Sequence, residues 1–97
     1  MRHFHRTSVG PDDVMQLADQ HFGALGLGTT ASAARTRSFS GPLGTMTLSV
    51  RMEGGHYTFV EVHTDQIGES RLDKNVKKFF VQLHRRVDRR HAMEAGY

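Results

Sequence analysis

Arg71, Lys74, Lys78, Arg85 and Arg89 recur at intervals of three, four, seven and four residues. At about 100° per residue they line one face of a helix. Arg86 stands at one margin, and Arg90 adds to the same basic stretch. Only Asn75 and Gln82 interrupt the stripe, and the nearby acids Asp73 and Asp88 lie outside it. A row of cations on a rigid rod can neutralise several phosphates at once and release their counterions, giving affinity that depends on salt and hardly on base sequence. The competing explanation is a plain solvated face, but such faces normally mix charge signs. One-signed charge favours a polyanion, and these seven basic residues are the expected RNA-binding set.

A second cluster is polar and internal. If Gly54-Gly55 forms a two-residue type I′ hairpin, Met52 pairs with Tyr57, Val50 with Phe59 and Leu48 with Glu61. Glu61 and His63 then share the apolar face with Arg35 and Arg37 of the preceding strand. An ion pair between Arg37 and Glu61 at the sheet margin explains this cluster most simply. A small-molecule pocket lined by Arg35, Arg37, Glu61 and His63 is the alternative. Three further pairs, His3 with His5, Glu61 with His63 and His84 with His91, lack a third ligand at metal-site spacing, so no metal is expected. No phosphate-binding loop, dinucleotide fingerprint or nucleophile elbow occurs, so neither catalysis nor a cofactor is expected.

These side chains need elements to hold them. Leu72, Val76, Phe79, Phe80, Leu83 and Val87 form an apolar arc nearly opposite the basic stripe, which predicts an amphipathic helix over 70–93. Ser70 and Asp73 stand at the N-cap and N3 of a capping box, and Arg89, Arg90 and His91 suit the negative end of the helix dipole. An earlier helix starts at Pro11, with Asp12 and Asp13 in its first turn. Its apolar residues are Val14, Leu17, Ala18, Phe22 and Leu25, and it ends among Gly23, Gly26 and Gly28. Residues 1–9 read as a short, marginal strand and residues 26–34 as a loop. Strands follow over 34–40, 45–53 and 56–64, separated by Gly41-Pro42-Leu43-Gly44 and by Gly54-Gly55. In the middle strand Met46, Leu48, Val50 and Met52 alternate with polar residues, which marks a sheet with one apolar face. The expected fold is α+β, a two-layer β-α-β-β-β-α domain with an antiparallel sheet packed on two helices.

The chain has 97 residues, 37% of them apolar, which fits one domain over 1–97 and leaves little room for a second core. There is no cysteine, which removes disulfides and thiolate chemistry and points to the cytoplasm. The net charge of +3 favours an acidic partner. No apolar run is long enough to span a bilayer and no signal-peptide pattern is present, so no membrane partner is expected. The mild outer face of the sheet leaves a homodimer through the sheet open.

The order of elements resembles the bacterial ribosome hibernation-promoting factors, including the ribosome-associated inhibitor A branch. Val9-Gly10-Pro11 and Leu17-Ala18-Asp19 look like that family's first-helix opening. Leu72-Asp73, Val76, Lys78-Phe79 and Gln82-Leu83 are similar to its second-helix pattern. The resemblance implies binding to ribosomal RNA of the small subunit near the decoding centre. It also implies a block of messenger and transfer RNA binding in non-growing cells, as part of a stress response. Lys78, Arg85 and Arg89 match basic positions of the family's second helix. Two features depart from the family: the first helix is acidic, and Ile67-Gly68-Glu69 replaces its Asp-aromatic motif. The chain also looks like a shortened helix-grip domain of the polyketide-cyclase and lipid-transfer type, in which Arg35, Arg37, Glu61 and His63 would line the ligand pocket. A looser similarity is to the double-stranded RNA-binding domain.

Overall fold

The computed structural model describes the backbone of residues 1–94 and the side chains of residues 1–86. In chain order its elements are β1 (Arg2–Thr7), α1 (Pro11–Ala24), β2 (Gly28–Ser32), β3 (Thr36–Gly41), β4 (Gly44–Glu53), β5 (Tyr57–Thr64) and α2 (Arg71–Glu94). All pairings are antiparallel, in the sheet order β1-β5-β4-β3-β2. The fold is α+β, as the alternation and helical periodicity predict, with one more strand than expected.

The core lies between the helices and one face of the sheet. Met46, Leu48 and Val50 of β4, Val60 and Val62 of β5, and Phe39 of β3 meet Val14, Ala18 and Phe22 of α1 and Leu72, Val76, Phe79 and Leu83 of α2. Phe22 sits at the centre, its ring 5.6 Å from Phe39 and 5.4 Å from Phe79. Burying each such ring contributes on the order of 2–3 kcal/mol. The end of α1 is closed by Leu27 N–H donating to Phe22 O and Gly26 N–H donating to Gly23 O, with Gly26 at φ 85°. This is a Schellman closure, and it drives Leu27 into the core.

Three expectations are corrected. The span 26–34 is not all loop, because β2 occupies Gly28–Ser32. Every β2 residue is exposed, so no apolar alternation announces the strand, and backbone pairing to β3 alone makes it. Residues 1–9 are not marginal: β1 pairs along its whole length with β5. The third correction concerns the hairpin between β4 and β5. Three residues lie between the strands, and Glu53 pairs with Tyr57, so Met52 meets Thr58, Val50 meets Val60 and Leu48 meets Val62. A one-residue shift exchanges the two faces of a strand. Two valines enter the core and Glu61 leaves it, which spares the domain a buried carboxylate.

The tight turn of Pro42 and Leu43 between β3 and β4 ends at Gly44, whose φ is 132°. A Cβ there would stand 2.7 Å from both Asp65 Oδ1 and Gln66 Nε2, and 3.3 Å from Leu72 Cδ2. Gly44→Ala is therefore expected to destabilise the domain by about 2–4 kcal/mol through strain and displacement of the α2 entry loop. Chemical denaturation checks this: an unchanged midpoint would contradict it.

Candidate nucleic-acid interface

The basic stripe depends on how α2 is held at its start. Ser70 caps the helix, its hydroxyl accepting the Asp73 backbone N–H at 3.0 Å and donating to Asp73 Oδ2 at 2.7 Å. The Ser70 half of the expected capping box forms, while the Asp73 carboxylate takes the Ser70 hydroxyl and more distant donors in place of the Ser70 backbone N–H. Asp73, fully buried, also accepts from His3 Nε2 at 2.8 Å, from the Thr64 hydroxyl at 2.8 Å and from the Gly68 backbone N–H at 3.1 Å. Burial opposes its charge, but the hydrogen bonds from His3, Ser70 and Thr64 outweigh it and hold the carboxyl at about 2. One carboxylate therefore ties β1, β5 and the entry loop to the first turn of α2. Sequence reasoning placed Asp73 in the cap, but no local signal links it to His3, which is distant in the chain.

With α2 fixed in rotation, Leu72, Val76, Phe79 and Leu83 are completely buried and Arg71, Lys74, Lys78, Arg85 and Arg86 are exposed. From Arg71 to Arg85 the ridge rises about 21 Å at 1.5 Å per residue. Among the described residues, none of these five cations is ion-paired with a carboxylate. Asp73, which would otherwise dilute the charge, is turned inward. Lys77, off the ridge, is ion-paired with Glu69 at 3.6 Å. Val87, Arg89 and Arg90 lie outside the residues whose side chains are described.

Two acids of α1, Asp19 and Asp12, face arginines of the β3 side rather than α2. Arg37 Nε donates to Asp19 Oδ1 at 3.0 Å and Nη2 to Oδ2 at 3.3 Å, while Arg35 approaches Asp12 at 3.9 Å. Between the helices, His21 Nε2 donates to the Asn75 carbonyl at 3.1 Å. Burial lowers the His21 pKa; hydrogen bonds to Asn75 and Gln82 counter this in part, and the neighbouring Lys78 adds to the lowering.

Arg35, Arg37, Glu61 and His63 do not converge. Arg37 pairs across β3 and β4 with Leu48 and so lies on the helix side, whereas Glu61 lies on the outer face. There Glu61 accepts from Arg2 Nη2 at 2.7 Å and His63 Nε2 at 3.1 Å, and these bonds, that of Arg2 foremost, lower its pKa. Arg37 does find a carboxylate, but it is Asp19. The hairpin register is the reason, since a single residue decides which face Glu61 and His63 occupy. The volume in which a helix-grip domain would hold a ligand is filled here by Phe22, Phe39 and Phe79.

The first histidine pair is likewise engaged elsewhere. His3 and His5 do share a face, but His3 is bound to Asp73 and His5 stacks on Phe80 with ring centroids 5.1 Å apart. Burial, followed by the nearby His84, lowers the His5 pKa. Among the described residues no three His, Asp or Glu side chains form a metal-binding group, and His91 lies outside them. On the outer face the Arg6 and Arg51 guanidinium groups lie 5.0 and 4.5 Å from the Phe59 ring centroid and shield it. Among the described residues no helix is long and apolar enough to cross a membrane. No protein-family model matches the chain, and no curated protein matches it significantly.

Proposed function

We propose that the protein binds RNA through the exposed ridge of α2, with the small ribosomal subunit as its target and a block of translation in non-growing cells as the result. The observation that carries this reading is the set Arg71, Lys74, Lys78, Arg85 and Arg86, which is exposed and free of carboxylate partners among the described residues. A rigid helix fixes the spacing of the cations, and each contact with a phosphate releases a counterion. No pattern for reading base edges in a DNA groove accompanies them, so the contact is with backbone and shape, which suits folded RNA. The second-helix resemblance, running through Lys78-Phe79 and Gln82-Leu83, supports the ribosome as that RNA. The small-molecule reading has no comparable support, because its four residues divide between two faces.

Sedimentation of the tagged protein through sucrose gradients of its own lysate tests the proposal. At low salt it is expected to travel with the small subunit, and at high salt to remain at the top. A protein found at the top under both conditions would sink the assignment.

A further inference from the structure

A hollow of about 290 Å³ opens beside the ridge, between α1 and α2. Among the described residues it is lined by Leu17 of α1 and by Gln82, Arg85 and Arg86 of α2. Gln82 and Arg85 are exposed, as is Arg86, while Leu17 is half-buried and packs its inner side on the core. On a helical wheel Gln82 falls between the two arginines, so two guanidinium groups and an amide from α2 share the hollow with one apolar side chain from α1. The volume is just under the roughly 300–1,000 Å³ of sites that bury whole small molecules. It therefore suits a fragment of a larger ligand.

We propose that this hollow receives one unpaired nucleobase of the RNA bound along the ridge. The inference rests on the RNA reading and adds what the ridge alone cannot supply, a preference for RNA with an extruded base over a perfect duplex. Each part has a role. Arg85 and Arg86 neutralise the phosphates on either side of the extruded nucleotide, and a guanidinium plane stacks on its base. Leu17 contacts the base where water would otherwise sit. The exposed Gln82 amide, which can both donate and accept, offers its hydrogen bonds to the base edge. A free phosphate would use the arginines and leave Leu17 idle. A purely apolar ligand would strand the charges. A nucleotide uses both.

The test uses the purified full chain and two labelled RNAs, a short perfect duplex and the same duplex carrying a single-nucleotide bulge, compared by fluorescence anisotropy at low salt. The bulged RNA is expected to bind about tenfold more tightly, the range of one base stack. Leu17→Trp, which fills the hollow, and Gln82→Ala, which removes the amide at an exposed position, are each expected to reduce that preference to near unity. Duplex affinity should be unaffected. Gln82→Ala carries the test if Leu17→Trp fails to fold by circular dichroism. Equal binding of the two RNAs by the unaltered protein, or a preference that survives in the folded variants, overturns the hollow as a base site and leaves the ridge standing. Absence of binding to either RNA overturns both.

Discussion

Lys78→Glu combined with Arg85→Glu is expected to abolish cosedimentation with the small ribosomal subunit and to lower affinity for a model duplex by about 100-fold or more. The slope of log affinity against log salt should flatten by about two, since each reversed residue stops displacing roughly one counterion. Both side chains are exposed and outside the core, so the fold should persist, with a melting temperature within a few degrees of the parent. The comparison that makes the result specific is Arg35→Glu with Arg51→Glu. Those arginines lie off the ridge, 3.9 Å from Asp12 and Glu53 respectively, and because Arg51 also covers Phe59 the control is used only once circular dichroism shows it folded. Their reversal alters net charge by the same amount, so equal loss in both double variants would mean that total charge, and not the α2 ridge, governs binding.

Asp73→Ala is expected to destabilise the domain by about 3–5 kcal/mol, the usual consequence of removing one partner from a buried charged network. His3, Thr64, Ser70 and the Gly68 N–H would all lose the buried carboxylate that is their shared acceptor. For a domain of this size the melting temperature should fall by roughly 15 °C or more. The pH dependence gives an independent reading. The folded carboxyl sits at about 2 against an ordinary 3.8, so its contribution is fully present above pH 4 and is lost as the pH falls through about 2. At about 1.4 kcal/mol per pH unit this amounts to roughly 2–3 kcal/mol. Glu61 and Asp65 are lowered as well, chiefly by the Arg2 side chain and the Thr45 N–H respectively, so the unaltered protein weakens in acid for several reasons. The difference between parent and Asp73→Ala isolates the buried group: stability measured by denaturant at pH 7 and near pH 2 should converge in acid. Parallel curves, or a melting point within two or three degrees of the parent's, would remove Asp73 from its role as the anchor of α2.

That anchor marks the limit of what local pattern conveys. The α+β class, both helices, the capping box and the alternation of β4 follow from residue spacing, because a helix or half-buried strand must repeat its apolar residues at its own geometric period. The exposure of Arg71, Lys74, Lys78, Arg85 and Arg86 follows in the same way, since burying Leu72, Val76, Phe79 and Leu83 leaves the opposite face outward. β2 was illegible because its stability comes from backbone pairing at an edge, which leaves no mark on side-chain choice. Residue spacing puts Glu61 and His63 on the wrong face because Gly54-Gly55 admits more than one turn length, and a period of two has no way to register a slip of one.

Residue spacing alone thus dictates which faces are apolar and which are basic. Strand order, the gathering of donors from three separate segments around Asp73, and the meeting of Leu17 with Gln82 and the two arginines come from the folded chain. Periodicity is a property of neighbours within one element, whereas each of these arrangements joins residues far apart in the chain. Such contacts form only when the whole core closes on one register.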